Sequence, residues 1–231
     1  MIVRTTHPVY GHISVLEGDK SIGEHILHER TWEPHLTIQL DRILPTIDGW
    51  CLDIGANIGL HSIYMAKMCK HVMAFEPQPL LFSVLVDNIV ANQYSILPIQ
   101  KLVTNFDGEL TMAIPKSYDE FPNPGGLGVV DSSFSHPELV VREFPCSRLD
   151  SMALAKVGFI KIDVEGHEME VLQGARNLLE RDRPIMIIEL FGGCDRREYA
   201  AQIEERIYAI ETMYGYTCKY IGGCDYLCMP A

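Results

Sequence analysis

The run Leu52-Asp53-Ile54-Gly55-Ala56-Asn57-Ile58-Gly59, answered by Ala74-Phe75-Glu76-Pro77, constrains this chain more than any other stretch of it. An apolar strand runs into a tight turn with glycines two before and two after an asparagine. An amphipathic helix over residues 60–70 follows, then a second strand that ends in a carboxylate. This is the opening βαβ unit of a doubly wound sheet. There the turn and helix N-terminus hold the polar part of a nucleotide-like ligand, and an acidic residue about 20 positions on bonds its ribose hydroxyls. Asp53, Gly55, Asn57, Gly59, Glu76 and Pro77 are therefore candidate cofactor-binding residues.

The glycine pattern selects among nucleoside cofactors. A dinucleotide asks for G-x-G-x-x-G, because its pyrophosphate comes very close to the backbone at the second glycine. Here that middle position is Asn57, which tolerates left-handed dihedrals, offers an amide and crowds the place of a pyrophosphate. S-adenosylmethionine has a ribose but no phosphate, and its amino and carboxylate ends can use an amide and backbone N–H groups. Asp53 can pair with its ammonium, directly or through water; in a dehydrogenase the same carboxylate would face phosphate charge. The turn thus favours S-adenosylmethionine, with S-adenosylhomocysteine as product, over a nicotinamide cofactor.

At 231 residues, 47% hydrophobic and 22% charged, the chain suits one α/β domain over residues 1–231 with a substantial core. A formal net charge of −12 argues against a broad nucleic-acid grip. No run of 18 apolar residues suggests a membrane span, and residues 1–10 lack a signal-peptide profile, so the expected location is the cytoplasm. The seven cysteines contain no C-x-x-C pair. Cys218, Cys224 and Cys228 alternate with apolar residues in apparent strands, which reads as buried thiols rather than zinc ligands. His7, His12, His25 and His28 fall in an irregular N-terminal segment and are expected at the surface or in small polar networks.

Periodicity organises the rest. Residues 1–32 read as an N-terminal extension with short strands. Pro34 opens a helix whose apolar stripe is Leu36, Leu40, Ile43, Leu44 and Ile47. Strands are expected at 50–54, 72–75, 96–103, 110–114, 140–145, 159–164 and 185–188, with a helix over 79–91. Residues 115–137, rich in proline and glycine, form a long loop expected to be an acceptor-facing lid. Asp195 is expected to cap a last helix that Gly215 stops, before a hairpin closing through Gly222-Gly223-Cys224-Asp225.

With Leu149-Asp150, Ile160-Lys161-Ile162-Asp163-Val164-Glu165-Gly166-His167-Glu168, Val171-Leu172-Gln173-Gly174-Ala175, Arg183-Pro184-Ile185 and Glu189 added to the opening motifs, residues 50–190 resemble the FkbM-type methyltransferases in the right order. The K-I-D-V-E-G-x-E block is the most specific part of the likeness. The resemblance implies a class I methyltransferase fold, a Rossmann-like sheet of about seven strands, mostly parallel with an antiparallel C-terminal hairpin. It also implies methylation of hydroxyl groups on sugars, glycans or related small molecules, with acceptor choice residing in residues 1–32 and 115–137.

Ligands of such sheets lie beyond the carboxyl ends of the strands, where Asp53, Glu76, Asn105, Asp163 and Glu189 fall, and Asn105 joins the cofactor set. Methyl transfer to an alcohol is an in-line displacement that a base assists by roughly 10²–10⁴-fold. Asp163 is the expected central group on the acceptor side, with His167 and Glu165 assisting and Glu189 a further candidate. Lys161 reads as an ion-pair partner. First-turn helix electrostatics is the competing role for Glu165 and Glu168, and hydrogen bonding or capping for His167. A divalent metal on Asp163 and Glu189 is conceivable but is not expected. The alternatives are a same-fold enzyme acting on an amine, protein or nucleic acid, and a non-catalytic S-adenosylmethionine-binding module. Asp163-Val164-Glu165-Gly166 is not the N-P-P-Y type of turn used for nucleobase amines.

Overall fold

The computed structural model describes residues 1–119, 121–190 and 196–231, without the side chains of residues 196–199; the expected cap Asp195 lies outside the described residues. The chain opens with an antiparallel hairpin of β1 (Ile2–His7) and β2 (Gly11–Leu16), then α1 (Ile22–Leu27) and α2 (Pro34–Ile43). The opening βαβ unit follows as β3 (Trp50–Ile54), α3 (Leu60–Ala66) and β4 (Val72–Phe75), then α4 (Pro79–Asn92) and β5 (Ile96–Ile99). Next come the short β6 (Leu102–Val103), β7 (Gly108–Pro115), β8 (Leu139–Ser147) and β9 (Val157–Ile162). The C-terminal part is α5 (Glu168–Gln173), α6 (Arg176–Asp182), β10 (Ile185–Glu189), α7 (Arg196–Tyr214), β11 (Tyr216–Gly222) and β12 (Asp225–Pro230).

The main sheet has seven strands in the order β11-β12-β10-β9-β3-β4-β5, and only β12 runs antiparallel to its neighbours. This is the doubly wound arrangement with an antiparallel C-terminal hairpin that the motifs imply. Alternation along the strands divides the core into two layers. Cys51, Phe159 and Ile187 pack toward α2, α3 and α4, while Leu52, Ile54, Ile160, Ile162 and Ile188 pack toward α5, α6 and α7. A parallel sheet must be covered on both faces, which is why these strands read as nearly continuous apolar runs. Strand order reverses between β3 and β9, and a crevice opens beyond their carboxyl ends.

Two expectations need correction. Residues 96–103 are not one strand: β5 continues the main sheet, while β6 leaves it to pair with β8 in a separate β6-β8-β7 sheet. The N-terminal extension carries the expected short strands, β1 and β2, and is tied to the rest of the fold. Asn88 of α4 accepts the Ser14 N–H (2.6 Å) and donates to the carbonyls of Ser14 (3.0 Å) and Ile58 (2.9 Å), tying β2 to the end of the β3 turn. Within that segment His7 is buried, and its Nδ1 accepts the Val9 N–H. Finally, Cys218 and Cys228 are disulfide-bonded across the C-terminal hairpin rather than free buried thiols. No described helix is long and apolar enough to cross a membrane.

Candidate active site

The turn after β3 engages all its own amides. Gly55 and Ala56 N–H both donate to the Phe75 carbonyl (3.0 and 2.8 Å), and Gly59 N–H donates to the Ala56 carbonyl (2.8 Å). Asn57 N–H donates to Glu76 Oε2 (2.9 Å) and Ile58 N–H to Asn57 Oδ1 (2.8 Å). Asn57 takes the left-handed conformation that its residue type tolerates (φ 53°). A phosphate cradle requires unengaged N–H groups aimed at the ligand; this turn offers none. The other oxygen of Glu76 accepts the Gln78 N–H (2.8 Å). Each carboxylate oxygen then keeps acceptor capacity, and Glu76 lines the crevice, which suits a vicinal diol. Burial pushes Glu76 up to about 7, against its two backbone hydrogen bonds and with help from the charges of Asp163 and Asp53.

Beyond the ends of β9 and β10 lies an acidic edge. Lys161 Nζ, almost fully buried, donates to Asp163 Oδ2 (2.8 Å). Burial opposes ionisation of Asp163, but the Lys161 charge and a hydrogen bond from Glu189 outweigh it and hold Asp163 low. Glu189 is raised strongly, by burial first and then by the Asp163 charge, so it carries the proton of that pair. Glu165, in a left-handed conformation (φ 53°), is pushed up to about 8 by burial, then by the charges of Asp163 and Glu168. Strained non-glycine backbone of this kind concentrates at functional sites.

The crevice is a cavity of about 430 Å³, the size of a small-molecule site. Besides the turn and the acidic edge, its walls include Trp32 and Glu33 from the N-terminal segment, Lys101-Leu102-Val103, and residues 123 and 125–129. Glu33 Oε2 and His61 Nε2 share a 2.8 Å hydrogen bond, while the buried His61 Nδ1 has no partner among the described residues. Burial opposes the Glu33 charge, but His61 and Lys161 more than compensate and hold its carboxyl low. The long loop packs closely here. Gln78 Nε2 donates to the Pro124 carbonyl (2.8 Å), Tyr118 OH donates to Gln78 Oε1 (3.1 Å), and Gly128 lies flush against Glu165, where a Cβ would come within 2.7 Å of its carbonyl oxygen.

The structure brings together most of the residues singled out from the sequence, with exceptions. Gly55, Asn57, Glu76, Pro77, Asp163, Glu165, His167 and Glu189 line the cavity. Asp53 does not: it is fully buried beneath the turn, where Ser62 Oγ donates to its Oδ2 (2.5 Å). Gly59 also lies outside the lining and serves packing, since a Cβ there would overlap the Leu85 side chain. Asn105 is exposed, outside the lining, and donates to Gln173 Oε1 (2.8 Å). His167 lines the wall, yet its Nε2 shares a 2.8 Å hydrogen bond with Thr104 Oγ1 and its Nδ1 lies 3.6 Å from Glu170. Glu168 turns away from the crevice, accepting the Gly166 N–H (2.7 Å) and pairing with Arg206 (3.0 Å). Glu33, His61, Gln78 and Lys101 escaped the sequence reading. Only Gln78, directly after Phe75-Glu76-Pro77, carried a positional hint.

Asp163, Glu165 and Glu189 each offer a carboxylate oxygen within 4.8 Å of the others, the one such group among the described residues that could hold a metal ion. The sequence named Asp163 and Glu189 for that role; the fold adds Glu165. In the arrangement described, Lys161 and the proton on Glu189 balance much of the charge.

Residues 53–219 match the family model described as the methyltransferase FkbM domain. Among curated proteins, the chain is 26% identical over 154 residues to the hexuronic acid methyltransferase AglP of Haloferax volcanii, covering 66% of this chain and 60% of that protein. It is 30% identical over 154 residues to the methyltransferase sdnD of Sordaria araneosa, covering 53% and 59%. It thus spans about three fifths of the length of these relatives. Among solved structures, the methyltransferase FkbM of Methylobacillus flagellatus KT superposes with a TM-score of 0.53 at 14% identity, over 85% of this chain and 49% of that one. A Streptococcus mutans protein solved in complex with SAH gives 0.51 at 10% identity, over 86% and 98%. At these identities the structural likeness establishes the Rossmann-like fold.

Proposed function

The chain belongs to the FkbM methyltransferase family, and from that premise we propose that it transfers the methyl group of S-adenosylmethionine to a hydroxyl of a sugar, glycan or related small molecule. The observation that carries the choice of cofactor is the self-engaged turn: Gly55 through Gly59 keep no amide for a pyrophosphate. Glu76 suits a ribose, and a crevice rich in carboxylates suits a cationic ligand. Bound there, S-adenosylmethionine supplies an electrophilic methyl carbon. The chain's own task is to hold the acceptor oxygen about 3 Å from that carbon, in line with the bond that breaks, and to take the hydroxyl proton.

The acidic edge divides that work. Asp163, ionised and fixed by Lys161 and Glu189, orients the acceptor by accepting a hydrogen bond from it. Glu165 takes the proton, because a carboxyl that titrates near 8 is a stronger base once ionised than an ordinary one. His167 and Glu189 complete the wall and hold it in place. Residues 115–137 cover the acceptor side as a lid within one methyltransferase domain. A relative is named for hexuronic acid, which supports a sugar-type hydroxyl acceptor. The net charge of −12 likewise favours a small acceptor over nucleic acid.

Methyl-labelled S-adenosylmethionine with a panel of partly methylated oligosaccharides, run beside a panel of amines, tests the proposal. Label is expected in methyl ethers of the oligosaccharides; label confined to amines would refute the acceptor class. In the same assay the rate should climb with pH as Glu165 ionises and level off above about 8. At two pH units below that point roughly 1% of the plateau rate remains. Glu165→Gln should remove that rising limb, and an unchanged profile in the variant would assign the proton to another group.

A further inference from the structure

Two thiols that the methyltransferase reading does not use lie in contact beneath the cofactor unit. Cys51, buried at the second position of β3, and Cys69, half-buried three residues past the end of α3, stand 2.7 Å apart, sulfur to sulfur. Fixed backbone holds both. Cys51 N–H donates to the His71 carbonyl (3.0 Å) and Cys69 N–H to the Met65 carbonyl (2.8 Å), so neither sulfur reaches the other through a mobile loop. The same chain already carries a disulfide between Cys218 and Cys228.

We propose that Cys51 and Cys69 are a second disulfide-forming pair, a covalent staple that closes the β3–turn–α3 unit through exchange with a low-molecular-weight disulfide. The two residues are 18 apart in sequence and bracket the whole stretch from Asp53 to Ala66. Access sets the order of events. Cys69, the reachable partner, attacks the external disulfide as thiolate; one sulfur of the reagent leaves as a thiol and a mixed disulfide remains on Cys69. Cys51 then gives its proton to solvent and attacks Cys69 Sγ, expelling the second thiol. Two protein thiols lose two electrons and two protons, and the reagent gains them. Contact with Cys51 holds the Cys69 thiol below its ordinary range, while that contact and burial push Cys51 up. The assignment of attacker and resolver follows the same direction.

The position of the staple decides its effect. Cys51 lies at the start of β3, whereas the turn that lines the crevice follows its end, and neither cysteine is part of the cavity wall. The bond therefore restrains the unfolded chain more than it reshapes the site.

The experiment uses the intact protein, first reduced and then equilibrated with oxidised glutathione, and reads disulfides by mass spectrometry of non-reduced tryptic peptides. Residues 43–67 and 68–70 are expected to appear as one linked species that reduction splits, with the Cys218–Cys228 bridge as internal control. Cys51→Ser should instead trap glutathione on Cys69. The bridged form should melt roughly 5–10 °C above Cys69→Ser. Full alkylation of both Cys51 and Cys69 after oxidation, with the control bridge formed, would overturn the pairing. A bridge that left the melting temperature unchanged would overturn its role as a staple.

Discussion

Gly55→Ala is expected to lower S-adenosylmethionine affinity at least tenfold and to destabilise the fold by roughly 2–4 kcal/mol. Gly55 sits at φ 85°, and a Cβ there would overlap the carbonyl oxygen of Asp163, whose own N–H pairs with Ile54. The obstacle is backbone directly past the end of the neighbouring strand β9, so no rotamer change relieves it. Either β3 and β9 separate or the turn shifts, and both displace Asn57 from Glu76. A second glycine separates this clash from conformational strain alone. Gly166 has a comparable positive φ of 99° but nothing within 4 Å of its would-be Cβ. Gly166→Ala should therefore cost only about 1 kcal/mol, the left-handed penalty. Calorimetry and denaturant melts on both variants check the pair. Equal effects would mean that close packing at Gly55 does not shape the turn.

The second large effect is on turnover. Asp163→Asn should reduce methyl transfer at least a hundredfold while leaving S-adenosylmethionine affinity within about threefold. The amide keeps the shape of the side chain but not the charge that orients an acceptor hydroxyl. It also takes the nearest counter-charge from the buried Lys161 and leaves Asp53 and Glu33 to compensate in part, so the cost is expected below the roughly 3–5 kcal/mol of a buried pair that loses its only partner. The double variant Lys161→Met with Asp163→Asn distinguishes chemistry from stability. Removing both charges should restore much of the lost stability and none of the lost turnover. Recovery of turnover in the double variant would make Asp163 a structural ion-pair partner only.

The framework of the site was legible because its residues carry local rules. β3 and β4 begin and end where the apolar runs predict, and Asn57 occupies the left-handed position that its type allows. What escaped depends on long-range geometry. The run from Ile96 to Val103 looks like one strand, but its two halves serve different sheets, and periodicity within eight residues cannot express that division. Glu33 precedes α2 and meets the crevice through its hydrogen bond to His61, a pairing 28 residues apart with no sequence pattern of its own. Asn105 follows β6 toward the surface once that strand leaves the main sheet, so its distance from the cavity follows from the same division. Asp53 sits at the end of β3 as its position implies, with one oxygen taken by Ser62 beneath the turn, a contact that no local pattern announces. Glu165 and Glu168 share first-turn electrostatics as a competing role in the sequence, and the fold turns Glu165 into the crevice and Glu168 onto Arg206.

Titration calorimetry of S-adenosylmethionine and of NAD into the same protein, with Glu76→Ala alongside, is the most direct measurement. Binding of S-adenosylmethionine that Glu76→Ala weakens at least tenfold, with no comparable heat from NAD, is the predicted result. Preferential binding of NAD, or S-adenosylmethionine affinity that does not depend on Glu76, would contradict the account.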